Sequence, residues 1–562
     1  MGHDRGSGWF DRHRARLDGA VEAAALRTHF SVFDEPAAPP DAESAGSPPA
    51  DPMAAGRRAF EAWLGTTFPI ATPGAEGTIA PERSPYGYDL RVAYPRVVDV
   101  DALVAAAGRR RRPWRDAGPD ARVGVCLEIL DRLDARAFEL AHALQHTCGM
   151  PIGLAYAAGV TNALDRSLET LAWSWSVMTS VAGSARWERP GWTPMDKTYT
   201  VIPRGLSLLI GCDTFPTWSD WPALFASLAA GNPVIVHPHP RTVLPFAITV
   251  QVCQEVLAEA GFDPTLVTLA VAEPGDPLRQ SLAVRPEVAI VDYTGNADFC
   301  QWLERRAGQA RLFTETPGVN CVVIDSTPDF EAMCDNLALS LAIFSGQMIT
   351  APHNILVPRG GIETDEGTKT PAEVAAGIGA ALDRLLADER QAVELIGVLA
   401  GEEAGASVDQ AMARPSLGSV LVPSRPLKHP DHPGAVLRTP LVLGRSSVDA
   451  EIYPGDTLGP VTFLIETADT EESIALLYLT ADRHGAVAAS VYSTSEDVVA
   501  EVRSVALDHG IMLSENLHAE VVLNAAWAFS DFHGGGSPSG ASYVDASYVS
   551  PRFRMVQSRR HA

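Results

Sequence analysis

Cysteine is scarce in this chain of 562 residues. Only seven occur, Cys126, Cys148, Cys212, Cys253, Cys300, Cys321 and Cys334, an odd number with no C-x-x-C pair. That excludes a disulfide scaffold and a structural zinc ribbon, and reduced thiols suit a cytoplasmic setting. Positive charge is short as well: 44 Lys plus Arg face 69 Asp plus Glu, for a formal charge of −25. Without a cation excess to displace counterions, no nucleic-acid partner is expected. Long apolar runs are missing too. No stretch reaches the ~18 residues of a bilayer-spanning helix, and the start, MGHDRGSGWFDRHRARLDG, has no continuous apolar segment. A soluble, non-secreted protein with no membrane partner is expected. Walker A, G-x-S-x-G and H-E-x-x-H patterns are absent, and the nearest approach to G-x-G-x-x-G, at 377–382, lacks its third glycine. His237 and His239 in HPHP have flanking prolines and no third ligand, so no metal is predicted.

What is present is 46% apolar sequence over a length beyond the ~250–300 residues at which one core stops growing. Two or more lobes follow. Residues 1–33 read as an amphipathic helical extension, expected to be an appendage, and 34–56 as a Pro/Ala-rich linker. Helical periodicity dominates 120–146 and 151–183. KTYTVIP at 197–203 then suggests a strand in the region 190–203. From Gly205 short apolar runs alternate with helices: GLSLLIG at 205–211, NPVIVHP at 232–238, TLVTLAV at 265–271 and VAIVDYTG at 288–295. Such runs are the signature of buried parallel strands, and ligands bind beyond their carboxyl ends. A second series, at 321–325, 353–358, 460–465, 486–492 and 520–524, predicts a second α/β lobe, with 313–320 as hinge. The lobes are drawn as 57–315 and 316–525, followed by a loop and tail at 526–562.

Six segments stand in a fixed order: GCDTFPTW at 211–218, NPVIVHPHP at 232–240, DYTGNADF at 292–299, FTETPGVN at 313–320, FSGQMITAPHNILVP at 344–358 and DTLGPV at 456–461. With these the chain resembles the aldehyde dehydrogenase superfamily. The segments ERSPYG at 82–87 and SDFHG at 530–534, with the tail VSPRFRMVQSRR at 549–560, resemble its PaaN-like branch, associated with phenylacetate degradation.

The resemblance implies a Rossmann-type cofactor lobe, a second α/β catalytic lobe and a small oligomerisation element, with a homodimer or homotetramer as the assembly. It implies NAD or NADP as cofactor and a small-molecule carbonyl or acyl substrate. Gly295, followed by Asn296, takes the position that approaches the cofactor diphosphate, where a residue without Cβ lets phosphate meet a helix start. Glu315 takes the general base's position, and Thr214 stands where an oxyanion is held. Other positions depart from the family pattern. Two residues beyond Gln347, where the family has its nucleophilic cysteine, stands Ile349, which cannot attack a carbonyl. The ribose-binding lysine is replaced by His237, the acid that often follows by Pro240, and a ribose-binding glutamate by Asp456. Three functions are consistent with this pattern. The first is a repurposed enzyme using Glu315 for acid/base chemistry on a carbonyl or CoA-type substrate. The second is a residual NAD(P)-dependent oxidoreductase without a covalent intermediate. The third is a non-catalytic partner of an active homologue.

Overall fold

The apolar runs after Gly205 become the strands Leu206–Ile210, Val234–His237, Val267–Leu269 and Val288–Thr294, joined at one edge by Arg311–Glu315. All five are parallel, in the spatial order 267–269, 234–237, 206–210, 288–294, 311–315. Alternation serves two cores. Leu209, Val234 and Val236 join one apolar cluster, whereas Leu208, Ile210 and Ile235 join another. Helices therefore cover both faces, which is why these strands read as continuous apolar runs. Strand order reverses between Leu206–Ile210 and Val288–Thr294, placing a ligand crevice beyond Ile210 and Thr294. The segment expected as a hinge from Phe313 is strand as far as Glu315, and the chain leaves the sheet only at 316–320.

The computed structural model describes residues 3–33, 51–109, 111–399, 402–448, 459–518, 521–523, 525–534 and 544–562. Within the second lobe seven strands form one sheet, in the order 419–422, 441–446, 461–467, 354–358, 321–324, 488–492, 512–515, parallel except for its 419–422 edge. The strand expected at 520–524 does not form among its described residues. Asn336 Nδ2 donates to the Val521 carbonyl at 2.8 Å, and Leu523 N–H donates to Ser340 Oγ at 3.0 Å. Side chains of a helix thus satisfy the backbone that a ladder would otherwise pair.

Two expectations for the N-terminal region need correction. The extension is no appendage: His3–Leu26 is one helix whose Trp9, Phe10, Leu17 and Ala20 are buried against the helices Gly118–Asp134 and Ala163–Thr179. A Cβ on Gly124 would lie 2.4 Å from the Gly6 carbonyl oxygen, so the crossing needs glycine there. Of the 34–56 linker, 34–50 lies outside the described residues. Residues 52–56 begin the helix Pro52–Glu61, which Asp51 caps by accepting from Met53 N–H.

A third sheet sets Met195–Pro203 between Ser184–Trp187 and the C-terminal strand Phe553–His561, all antiparallel. The tail is anchored before that strand by Arg552, fully buried. Its guanidinium forms a two-point pair with Asp292, at 2.6 and 2.8 Å, and donates to Ser227 Oγ at 2.7 Å. The guanidinium also lies 4.3 Å from the Phe313 ring centroid and 4.2 Å from that of Tyr548. Removing one member of such a pair strands a buried charge. Arg552→Met is accordingly expected to lower unfolding stability by about 3–5 kcal/mol, measured as a shift in the urea midpoint, with Asp292→Asn/Arg552→Met recovering part of the loss.

Candidate active site

Beyond Ile210 the chain turns through 211–215 into the helix Pro216–Ala229, and Thr214 reaches a cavity of about 270 Å³ between the lobes. Its walls are mostly apolar, built from Phe215, Trp218, Met348, Ile349 and Trp527. A π-helical turn, Ala157–Asn162, supplies another side. The widened turn is pinned where Thr217 Oγ1 donates to the Gly159 carbonyl at 2.5 Å. Cys212 also borders the cavity, but burial, reinforced by the nearby Asp220 carboxylate, pushes its thiol well above the ordinary range. It is an inert thiol rather than a substitute nucleophile.

Ile349 sits at the end of a strained loop. Phe344 (φ 51°, ψ 29°), Ser345 (φ 54°, ψ 36°) and Gly346 (φ 62°) adopt left-handed backbone in succession. Packing fixes that shape: the Phe344 ring fills the space a Cβ would need at Gly397, and Ser345 Oγ donates to the Gly397 carbonyl at 2.8 Å. Such strain persists only where surroundings over-determine it, and it concentrates at functional sites. Asn320 holds the other end, donating from Nδ2 to the Ile349 carbonyl at 2.7 Å and to that of Ala351 at 3.0 Å. Thr350, the next residue, is buried and contributes to the cavity wall.

Glu315 ends the edge strand and is fully buried. Its backbone carbonyl accepts from Gly295 N–H at 3.0 Å. Oε2 accepts from Thr294 Oγ1 at 3.1 Å, and Oε1 meets His533 Nε2 at 2.5 Å. His533 is buried yet borders the cavity, with Trp218 edge-on at 4.7 Å between ring centroids. Sequence reasoning missed this histidine, although it lies in the SDFHG segment already singled out. The loop bearing it is tied down from both ends of the chain: Phe529 N–H donates to Glu169 at 2.8 Å, Arg166 donates to the Asp531 carbonyl at 3.0 Å, and Arg27 of the N-terminal region donates to Glu169 at 2.7 Å.

The cofactor-side residues lie apart from this cavity. His237 ends its strand in a second cavity of about 360 Å³, shared with Arg241, Arg279 and Gln280. Its Nδ1 meets the Ala270 carbonyl at 2.7 Å, and burial pushes its pKa down to about 4, so it carries no charge at neutral pH. Gln280 Oε1 is buried without a hydrogen-bond partner and suits a ribose or adenine donor. Arg279 lies 4.2 Å from the Phe299 ring centroid. A Cβ at Gly295 would fall 2.4 Å from Tyr293 Oη, so the fold itself requires glycine there. The Asn296 side chain is occupied as a helix cap, accepting from Phe299 N–H at 2.9 Å. Asp298 stands in that helix's first turn, an unfavourable neighbour for a diphosphate. Asp456 lies outside the described residues. His13, Glu128 and Asp131 converge closely enough to hold an ion, but Arg12, Arg16 and Arg132 already pair with these carboxylates, so the cluster joins two helices.

Three comparisons bear on this arrangement. The family model described as "Aldehyde dehydrogenase family" matches residues 88–513. A solved structure described as an NAD-dependent aldehyde dehydrogenase from Burkholderia multivorans is 44% identical, with 99% of each chain covered and a TM-score of 0.93. Aldehyde dehydrogenase LUC3 of Fusarium sp is 25% identical over 71% of this chain and 78% of its own length. Phenylacetaldehyde dehydrogenase of Pseudomonas fluorescens is 28% identical over 46% of this chain and 52% of its own. Among the described residues no helix is long and apolar enough to cross a membrane.

Buried imidazoles make the fold sensitive to acid. Burial pushes His146 down to about 3 and His237 and His353 to about 4, from an ordinary 6.5. Each depressed value means that the unfolded chain binds the proton first, so the stabilising contribution is present above pH 6.5 and is lost as pH falls toward 4. Denaturant midpoints measured across that window should fall with decreasing pH, and His237→Gln should flatten part of the slope.

Proposed function

The chain belongs to the aldehyde dehydrogenase family, and from that premise we propose that it is a repurposed member of the PaaN-like branch. In this reading it performs acid/base chemistry on an apolar carbonyl or acyl compound, CoA thioesters included, without a covalent thioester. The observation that carries the reading is Ile349, held at the cavity by a loop whose strained backbone is intact while its side chain offers no thiolate. An alkyl group cannot form the thiohemiacetal that cysteine-dependent oxidation requires. Glu315, buried behind His533, supplies the carboxylate, Thr214 a hydroxyl donor toward a developing oxyanion, and the apolar walls favour a substrate with an apolar body.

A second reading, NAD(P)-dependent oxidoreduction without a covalent intermediate, is favoured by the cavity beside His237. Gln280 Oε1 and Arg279 are suited to the adenosine end of a dinucleotide, and such a cofactor would supply or accept hydride. The diphosphate end is less well served, because His237 is neutral and Asp298 stands at the helix start. Titration with NAD(H) and NADP(H) to millimolar levels, followed by nicotinamide fluorescence, separates the two. Saturable binding together with aldehyde turnover would move the assignment to the second reading; absence of binding would leave acid/base chemistry. Ile349→Cys alone should leave aldehyde oxidation far below that of cysteine-bearing relatives, since the cofactor side is altered too, and rates matching theirs would refute the first reading. The exposed faces of the C-terminal three-stranded sheet, with Met555 and Val556, and Trp192 in the turn between two of its strands, are proposed as the contact between copies in a homodimer or homotetramer.

A further inference from the structure

Trp527 borders the apolar cavity from its solvent side, 53% exposed and without a ring contact among the described residues. We propose that Trp527 is the aromatic platform of the substrate site, and that with Asn162 and the alanines of the π-helical turn it selects an uncharged aromatic carbonyl or acyl compound over aliphatic and charged ones. The proposal rests on the reading of this cavity as the substrate site and names the class of compound taken there, whichever reaction follows.

Three observations converge. First, the residue is held in place without spending its indole. Asn162 Nδ2 donates to the Ala526 carbonyl and Ala528 N–H donates to Asn162 Oδ1, both at 3.2 Å, so one amide brackets position 527 as a neighbouring strand would. Trp527 N–H donates to Asp531 Oδ2 at 2.7 Å, and its carbonyl accepts from Asp531 N–H at 3.1 Å. All four bonds use the backbone of the 526–528 segment, and the ring stays available to a ligand at little further ordering cost. Second, the cavity suits one ring. A closed apolar cavity of about 150 Å³ takes a benzene, and the volume of about 270 Å³ here leaves room for a ring with a short carbonyl-bearing chain. Phe215 and Trp218 supply further aromatic wall, and ring pairs gain from offset or edge-on contact beyond what buried area gives. Ala157 and Ala158 keep this space open, on a turn whose place Thr217 fixes through the Gly159 carbonyl. Third, charge is excluded. Among the described residues no Asp, Glu, Lys or Arg lines the cavity: Arg166 stands behind Trp218, its guanidinium 4.9 Å from that ring's centroid, and Glu315 stands behind His533. A carboxylate or ammonium moved inside would lose its water and gain no ion pair. Thr214 remains to meet a neutral carbonyl.

The test uses the full chain and three unreactive probes of one skeleton, benzamide, cyclohexanecarboxamide and benzoate, with affinities measured by titration calorimetry at neutral pH. The first pair separates ring electrons from apolar bulk, and the third isolates charge. Benzamide is expected to bind saturably, about 2- to 10-fold more tightly than cyclohexanecarboxamide, and benzoate about 10-fold or more weakly than benzamide. Trp527→Ala should bring the two amides to equal affinity, and Trp527→Phe should restore most of the preference. Both should keep the wild-type thermal melt, because the indole is exposed. Asn162→Ala, which releases the segment bearing Trp527, should also narrow the preference. Ala158→Phe should weaken both amides by filling the cavity.

Equal affinity of the wild-type chain for both amides, or a preference unchanged in Trp527→Ala, would overturn the platform, while weakening by Ala158→Phe would still locate binding in the cavity. Benzoate bound as tightly as benzamide would overturn the exclusion of charge. Absence of amide binding up to tens of millimolar, or binding indifferent to Ala158→Phe, would instead overturn the reading of this cavity as the substrate site.

Discussion

The arrangement depends on one buried amide. Asn320 lies where the chain passes from the first sheet to the second, and its side chain uses all four hydrogen-bonding positions. Nδ2 donates to the carbonyls of Ile349 and Ala351, and Oδ1 accepts from the N–H groups of Val487 and Ala488, at 3.0 and 3.1 Å. Its backbone carbonyl accepts from His353 and Asn354, and its N–H donates to His353 Nδ1. One residue therefore fixes the loop presenting Ile349, the start of strand 354–358 and the approach to strand 488–492. A buried polar hub is costly unless fully satisfied, and when satisfied it specifies a single geometry. Between Glu315 and Asn320 the chain crosses from lobe to lobe in five residues, so the acid and the Ile349 loop are held in register by a short segment that Val319 N–H ties to the Gly485 carbonyl at 2.9 Å.

A second constraint enters from the termini, outside the stretch matched by the family model. His533 reaches Glu315 only because its loop is tied to Glu169, and Glu169 is held in turn by Arg27 from the N-terminal region. Phe30 meets Phe529 edge-on at 5.0 Å, and Arg27 stacks 3.9 Å from the Phe532 ring centroid. Residues from both ends of the chain thus build the wall behind the acid. An extension that packs this way is part of the site's support, and the charge pairing of Glu169 links its position to the Glu315–His533 contact.

Much of this was legible in the sequence, for identifiable reasons. Strands 206–210, 234–237 and 288–294 announced themselves because burial on both faces leaves only apolar residues between Gly, Pro and Asn punctuation. Edge strands 419–422 and 512–515 are short and partly exposed, with only two or three consecutive apolar residues each, and were missed. Segment 521–523 has strand composition but satisfies its backbone through Asn336 and Ser340, partners that local pattern cannot reveal. At the site, Thr214, Glu315 and Ile349 were found as motif positions. The Glu315–His533 pair joins residues 218 positions apart, and no periodicity encodes such a contact. Gly295 teaches the converse: its need for a missing Cβ is already explained by the Tyr293 ring, so glycine there is weak evidence for a phosphate.

The loop before Ile349 separates architecture from chemistry. Each non-glycine residue in left-handed backbone costs roughly 1–2 kcal/mol, and Phe344 and Ser345 both incur that cost. The compensation comes from the Phe344 ring seated over Gly397, the Ser345 bond to the Gly397 carbonyl, and Gln347 Nε2 donating to the Phe344 carbonyl at 3.1 Å. None of these contacts involves the side chain at 349. The loop is therefore shaped independently of whether that position can act as a nucleophile, and an alkyl side chain there leaves its scaffold standing. At that position the cavity has an apolar floor, and the polar groups nearest it are Thr214 and His533, the latter bonded to the buried Glu315 carboxylate.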